Sequence, residues 1–154
     1  MKLVGQYRAK VDAKGRFRLP VGISEQLNAE APYSFVMNRG LAKCLTLYPE
    51  NVWDEETEKM DQKLDELDPD DADFRRAFYG GARPLETDGS LRLNVPDFLI
   101  DYAGIKKEVV LVCMSKKIEV WAKEVYDEDW NITPDVFARL SRKVSKKMKG
   151  DTNG

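Results

Sequence analysis

The stretch Gly5-Gln-Tyr-Arg-Ala-Lys-Val-Asp-Ala-Lys-Gly-Arg-Phe-Arg-Leu-Pro20 decides the fold, because the chain writes it again as Gly81-Ala-Arg-Pro-Leu-Glu-Thr-Asp-Gly-Ser-Leu-Arg-Leu-Asn-Val-Pro96. An offset of 76 residues brings Gly5 onto Gly81, Asp12 onto Asp88, Arg16 onto Arg92 and Pro20 onto Pro96, and keeps Phe17/Leu93 and Leu19/Val95 apolar. After a shorter loop the offset becomes 73. Leu45-Thr-Leu-Tyr48 then meets Ile118-Glu-Val-Trp121, and Val52, Trp53 and Asp54 meet Val125, Tyr126 and Asp127. The same order of features in both halves is the signature of an internal duplication.

Within each copy the pattern alternates. Tyr7, Ala9 and Val11 fall between Arg8, Lys10 and Asp12, the period of a strand with one face buried. Asp12-Ala-Lys-Gly15 is turn chemistry, Asp supplying a side-chain acceptor and Gly a positive φ. Phe17 and Leu19 then point one way while Arg16 and Arg18 point the other. Pro20 opens a short helix through Leu27, and Pro96 opens its counterpart carrying Phe98, Leu99 and Tyr102. In the second copy the turn falls at Asp88-Gly89. Strand pairs follow in each copy, Ser34–Met37 with Leu45–Tyr48 and Val109–Met114 with Ile118–Trp121.

Between the copies, Trp53, Met60, Leu64 and Leu67 share one face of an amphipathic helix from about Glu50 to Asp68. Asp68-Pro69 ends it, and Asp70 to Tyr79 forms a second helix burying Phe74 and Phe78. A last helix starts at Thr133-Pro134-Asp135 and runs on Phe137, Leu140, Val144 and Met148. Ser145 to Gly154 is expected to fray. The expected units are 5–54, a helical connector 55–80, 81–127, and a helix with a basic tail over 128–154.

Composition narrows the function. The 154 residues are 42% apolar and 34% charged, enough for a folded core. The longest apolar run, Val109 to Met114, is far too short for a membrane span, and residues 1–10 lack the apolar stretch of a signal peptide. Cys44 and Cys113 have neither disulfide nor metal spacing and read as small buried hydrophobes, which suits a reducing cytoplasm. There is no histidine, which removes His-based triads, His acid–base chemistry and His-ligated zinc. No nucleophile elbow, phosphate loop or dinucleotide turn is present. The acids around Asp65–Asp71 lack the ligand spacing of a calcium loop. The expectation is a protein that is not an enzyme and uses no metal, cofactor or small-molecule substrate.

Charge is segregated. Residues 54–73 hold eleven acids against Lys59 and Lys63, a net −9, so the rest of the chain carries +7 of the overall −2. Arg8, Lys10, Lys14, Arg16 and Arg18 all lie on the first strand–turn–strand unit, alternating away from its apolar set. Such a row is either an ordinary solvated strand face or a cationic ribbon of the width that enters the DNA major groove. On the second view Arg16 pairs bidentately with a guanine while Lys10 and Lys14 suit phosphates. The second copy supplies only Arg83 and Arg92, so the first copy is expected to dominate. Asp12 and Asp88 support the motif by capping each turn or orienting the arginine four residues on, with Gly15 and Gly89 as the turn glycines.

These residues resemble the MraZ transcriptional regulators, bacterial proteins of two tandem AbrB-like swapped-hairpin modules. The resemblance runs from Gly5 to about Asp127. It rests on Asp12-Ala-Lys-Gly-Arg16 with Pro20, Cys44-Leu-Thr-Leu-Tyr-Pro49 with Trp53, Asp88-Gly-Ser-Leu-Arg92 with Pro96, Glu108-Val-Val-Leu-Val112 and Ile118-Glu-Val-Trp121. It implies an α+β fold, mainly β with short helices, in which the two copies close one AbrB-like barrel, with further helices between and after them. It also implies double-stranded DNA as partner, a homo-oligomer forming a ring, a nucleoid-associated protein in the cytoplasm, and binding to short G-rich repeats upstream of the division and cell-wall gene cluster. The DNA-contacting motif carries over onto Lys14 and Arg16, and onto Arg92. Ala9 stands where the family often has histidine. Leu91 replaces the Gly that precedes Arg16 in the first copy, so the second turn is expected to differ and Arg92 to present less well. The alternative from another class is an antitoxin-like protein-interaction module.

Overall fold

The computed structural model describes residues 2–152. In chain order the elements are β1 (Gln6–Lys10), β2 (Arg16–Arg18), α1 (Val21–Ser24), β3 (Ser34–Arg39), β4 (Leu45–Pro49), α2 (Glu50–Lys63) and α3 (Pro69–Gly81). The second half follows as β5 (Arg83–Glu86), β6 (Arg92–Asn94), α4 (Asp97–Ala103), β7 (Glu108–Cys113), β8 (Ile118–Ala122), α5 (Lys123–Asp129) and α6 (Pro134–Thr152). This is the expected mixed α+β architecture, with strand–strand–helix–strand–strand–helix order written twice.

The copies exchange their first strands. One six-stranded antiparallel sheet runs β1-β7-β8-β4-β3-β5, so β1 of the first copy pairs with β7 of the second, and β5 of the second with β3 of the first. A two-stranded sheet, β2-β6, joins the copies again. Two ladders map onto themselves under the repeat. Leu45 faces Val120 and Leu47 faces Ile118 across β4–β8, while Arg16 faces Asn94 and Arg18 faces Arg92 across β2–β6. An approximate two-fold axis therefore passes between Thr46 and Glu119 and between Phe17 and Leu93.

That exchange fits the swapped-hairpin closure the resemblance implied, and it re-pairs the ribbon that the local pattern placed within one strand–turn–strand unit. β1 and β2 share only an isolated bridge, Val11 to Phe17, and each spends its ladder on the other copy. The reason is burial: Phe17, Leu19, Leu93, Val95, Val109 and Leu111 are all at most 1% exposed and belong to a single core, which neither copy completes alone. At about 25 cal/mol per Å² of apolar surface removed from water, closing this shared core is the dominant favourable term.

Helix boundaries differ at five helix ends. α1 is a single turn ending at Ser24 instead of Leu27, and Pro20 and Pro96 are the N-cap residues, one position before the first turn. α2 stops at Lys63, where Leu64 turns extended; Leu67 is 91% exposed instead of facing the core. The segment after it is held by acids acting as acceptors: Asp65 takes the Leu67 N–H, Asp71 takes the Asp65 N–H, and Asp68 caps α3 through the N–H groups of Asp70 and Asp71. In α3, Phe78 stacks on Trp53 with ring centroids 5.2 Å apart, whereas Phe74 is 46% exposed. α6 stays helical through Thr152 where fraying was expected; good helix formers (Ala138, Arg139, Leu140, Arg142, Lys143) outweigh the single Gly150. Asn153 and Gly154 lie outside the described residues.

Candidate nucleic-acid interface

Both copies build the same turn, atom for atom. In the first, Asp12 Oδ1 accepts the N–H groups of Lys14 and Arg16, each at 2.9 Å, and Oδ2 accepts Arg16 Nε–H at 2.9 Å. In the second, Asp88 Oδ1 accepts the N–H groups of Ser90 and Arg92, each at 2.9 Å, and Oδ2 accepts Arg92 Nε–H at 2.9 Å. Each turn also closes its own backbone, Gly15 N–H to the Asp12 carbonyl and Leu91 N–H to the Asp88 carbonyl. The two aspartates thus both cap the turn and orient the arginine.

The second turn does not differ as its sequence suggested. Leu91 takes φ +59, the left-handed conformation that Gly15 takes at φ +81. Gly89 is not the left-handed residue of its turn; Leu91 is, and a leucine there carries strain of about 1–2 kcal/mol. The turn tolerates it because the bonds around it are doubled across the axis. Leu19 N–H donates to the Leu91 carbonyl at 2.8 Å, and Val95 N–H donates to the Gly15 carbonyl at 2.9 Å.

The hydrogen bonds to Asp12 and Asp88 also fix their ionisation. The backbone N–H of Arg16 is the largest influence holding the Asp12 carboxyl below the usual carboxylate range, with the Arg16 side chain and the Lys14 N–H adding to it. The Arg92 backbone N–H does the same for Asp88, followed by the Ser90 N–H and the Arg92 side chain. Each carboxylate therefore stays charged and keeps its guanidinium oriented. Arg16 and Arg92 make no hydrogen bond through their terminal nitrogens among the described residues, so both retain a donor pair.

The ribbon that carries these arginines is β2–β6, one strand from each copy. Phe17 and Leu93 point into the core, so Arg16, Arg18, Arg92 and Asn94 share the outer face. The sequence-derived row is divided accordingly. Arg8 and Lys10 stand on β1, at the edge of the large sheet; Arg8 spends its guanidinium on Asp127 at 2.9 Å, and Lys10 is paired in register with Glu108. They meet Arg18 again along one shallow surface depression shared with Pro20 and Val21. Lys14 sits beside the first turn in another depression, with Lys106 and Asp97. Arg83 is elsewhere: it donates to the Gly80 and Ala82 carbonyls at 3.0 and 2.8 Å and lies over the Phe98 ring at 4.6 Å.

Two residues of this face escaped the sequence. Asn94 occupies the Arg18 position of the second copy and was within reach of the repeat alignment. Lys106 reaches the first turn only because α4 and the loop after it lie against the Val11–Gly15 segment, a placement with no local signal. Cys44 is buried, with its thiol pushed up to about 11 by that burial, and Cys113 is partly covered; both are free thiols. Among the described residues no group of three or more His, Cys, Asp or Glu side chains could hold a metal ion, and no helix is long and apolar enough to cross a membrane.

Comparison with known proteins gives one consistent result. A family model described as "MraZ protein, putative antitoxin-like" matches twice in tandem, over residues 3–77 and 78–133. A protein of Flavobacterium psychrophilum named transcriptional regulator MraZ is 35% identical over 153 residues, covering 99% of this chain and 97% of its own length. Another of that name from Christiangramia forsetii is 35% identical over 145 residues, covering 94% and 93%.

Proposed function

The chain belongs to the MraZ family of transcriptional regulators, and on that premise we propose that it acts as a sequence-specific binder of double-stranded DNA. Its family is not one of enzymes, and regulation of transcription is the activity to be explained. The observation that carries the reading is the two-stranded β2–β6 ribbon with Arg16, Arg18 and Arg92 on one outer face. A ribbon of that width enters the major groove. Asp12 and Asp88 hold the Nε–H of Arg16 and Arg92, leaving each guanidinium's terminal nitrogens for the O6 and N7 acceptors of guanine. Lys14, Lys10 and Arg8 supply phosphate contacts beside the ribbon, with Arg8 weakened by its ion pair to Asp127.

One ribbon neutralises few phosphates, so its single-site affinity is modest and strongly salt-dependent. The proposal is completed by a homo-oligomer, closed into a ring, that offers several equivalent ribbons to a series of short G-rich repeats. Linked sites then bind at high effective concentration when repeat spacing matches subunit spacing. The targets are repeats upstream of the division and cell-wall gene cluster, which places the protein on the nucleoid in the cytoplasm.

The test is fluorescence anisotropy on a duplex from upstream of the protein's own gene, titrated with wild type and Arg16→Ala against excess random duplex at two salt concentrations. Competitor-resistant binding that the substitution removes supports the reading. Weak binding, equal for both duplexes and both proteins, defeats it. In that case co-purification of a second protein at fixed stoichiometry would favour the antitoxin-like alternative.

A further inference from the structure

We infer that Asn94 is a specificity-determining residue of the β2–β6 ribbon, selecting an A·T pair beside the guanines that the arginines read. The inference rests on the DNA-binding reading above and adds one residue and one base pair to it.

The approximate two-fold axis between Phe17 and Leu93 sorts the four outer positions of the ribbon into equivalent pairs. Arg16 and Arg92 form one pair, alike in residue and in the aspartate that holds each Nε–H. Arg18 and Asn94 form the other, and they differ. Across the ladder, Arg18 faces Arg92 in one row and Arg16 faces Asn94 in the next. Three of the four positions therefore present donors alone, and the fourth presents a donor together with an acceptor.

Nothing in the fold accounts for an asparagine at this place. Asparagine is disfavoured in strands, and Asn94 is exposed, on the face turned away from the core. Its side chain makes no hydrogen bond among the described residues. Asn94 Oδ1 stands beside the first turn, 3.7 Å from the position that a Cβ on Gly15 would take. The amide thus lies in the Arg16 row with both polar atoms uncommitted.

Base edges in the major groove separate the two residue types. Adenine sets the N7 acceptor beside the N6 donor, which match the NH2 and carbonyl of an amide; guanine sets two acceptors there, which match a guanidinium and repel the amide carbonyl. Outward residues two apart on a strand stand about 6.8 Å apart, roughly two base steps of 3.4 Å, so the two rows address neighbouring base pairs of one short site. With arginine at position 94 the outer face would offer the same groups to a duplex running either way. The Arg18/Asn94 difference gives the ribbon its direction. Lys10 and Lys14, whose repeat counterparts are Glu86 and Ser90, also distinguish the two ends, but phosphate attraction carries no base information.

Selection from a randomised duplex library with the full-length protein, followed by anisotropy on the enriched duplex, tests this. Wild type should enrich guanines together with one A·T pair, and exchanging that pair for G·C should weaken its binding by about 5- to 100-fold. In Asn94→Ala the discrimination at that pair should vanish. In Asn94→Arg it should reverse, the exchanged duplex binding better, with the guanine preferences kept in both variants. Tighter binding of the exchanged duplex is a gain that a damaged fold does not produce. Base preferences identical in wild type and both variants, or a wild-type motif without an A·T position, overturn the inference and leave the DNA-binding reading standing. A wild type that enriches no sequence at all removes that reading itself, a different failure from losing only the role of Asn94.

Discussion

Arg18 lies directly opposite Arg92 across the β2–β6 ladder, one from each copy, at the exposed face of a ribbon whose other face is fully buried. Two like charges at directly opposed positions destabilise a sheet by about 0.2–1 kcal/mol. Arg18→Thr is therefore expected to raise stability by a few tenths of a kcal/mol while weakening DNA binding. Chemical denaturation and anisotropy on the same samples check both signs; a variant that loses stability would show the pair is not repulsive in place.

Because the two turns share one set of hydrogen bonds, Arg16→Ala and Arg92→Ala should weaken operator binding to a similar degree, about 10- to 100-fold each for loss of one bidentate contact. The assembly mass should be unchanged in both. A loss confined to Arg16→Ala would instead return the first copy to the dominance its richer charge suggested.

Gly15→Ala is expected to cost about 1–3 kcal/mol, since a Cβ at φ +81 would also stand 2.8 Å from Ile100 Cδ1 and 3.1 Å from the Val95 carbonyl oxygen. Leu91→Gly should be nearly neutral, within about 0.5 kcal/mol, because relief of the left-handed leucine offsets its lost side-chain packing. Thermal melts of the two variants side by side test the contrast.

Acid should dismantle the turns. Asp12 and Asp88 titrate below the usual carboxylate range in the folded protein, so their contribution is present above the unfolded value near 4 and is lost as pH falls through the depressed folded value. In Asp12→Asn/Asp88→Asn the deficit in melting temperature relative to wild type should be full at pH 6 and narrow toward pH 3. A deficit that does not change with pH would show that the carboxylate charge is not what holds the turn.

Phe17→Ala should cost about 3–5 kcal/mol, a large part of a domain's total stability, because its ring is 1% exposed beneath the arginine face. Urea unfolding of this variant measures the cost, and DNA binding should fail together with the fold.

Much of the fold was legible because alternation and turn chemistry are local. The eight strand positions, both Asp-to-Arg turns, the proline-led helices and the duplication follow from side-chain periodicity in segments of five to sixteen residues. The candidate site was legible in residue identity, since an arginine row alternating with core residues is a local pattern too. What local pattern misjudged was coverage: Leu67 and Phe74 have apolar side chains at helical spacing, yet Leu67 stays almost wholly exposed and Phe74 is covered only where its ring stacks on Phe78. Leu91 was misjudged for another reason, since left-handed backbone is read from glycine, and here the doubled hydrogen bonds around the axis impose it on leucine.

By itself, then, the sequence determined which segments extend, which turn, and which faces are apolar or charged, because those properties are set by each residue and its near neighbours. Only the tertiary structure decided partnership. β1 and β2 are contiguous in the chain but pair across the copies, since the shared core is closed only when each half lends its first strands to the other. That exchange, and no local preference, sets Arg16 and Arg18 beside Arg92, ties Arg8 to Asp127, and brings Lys106 to the first turn.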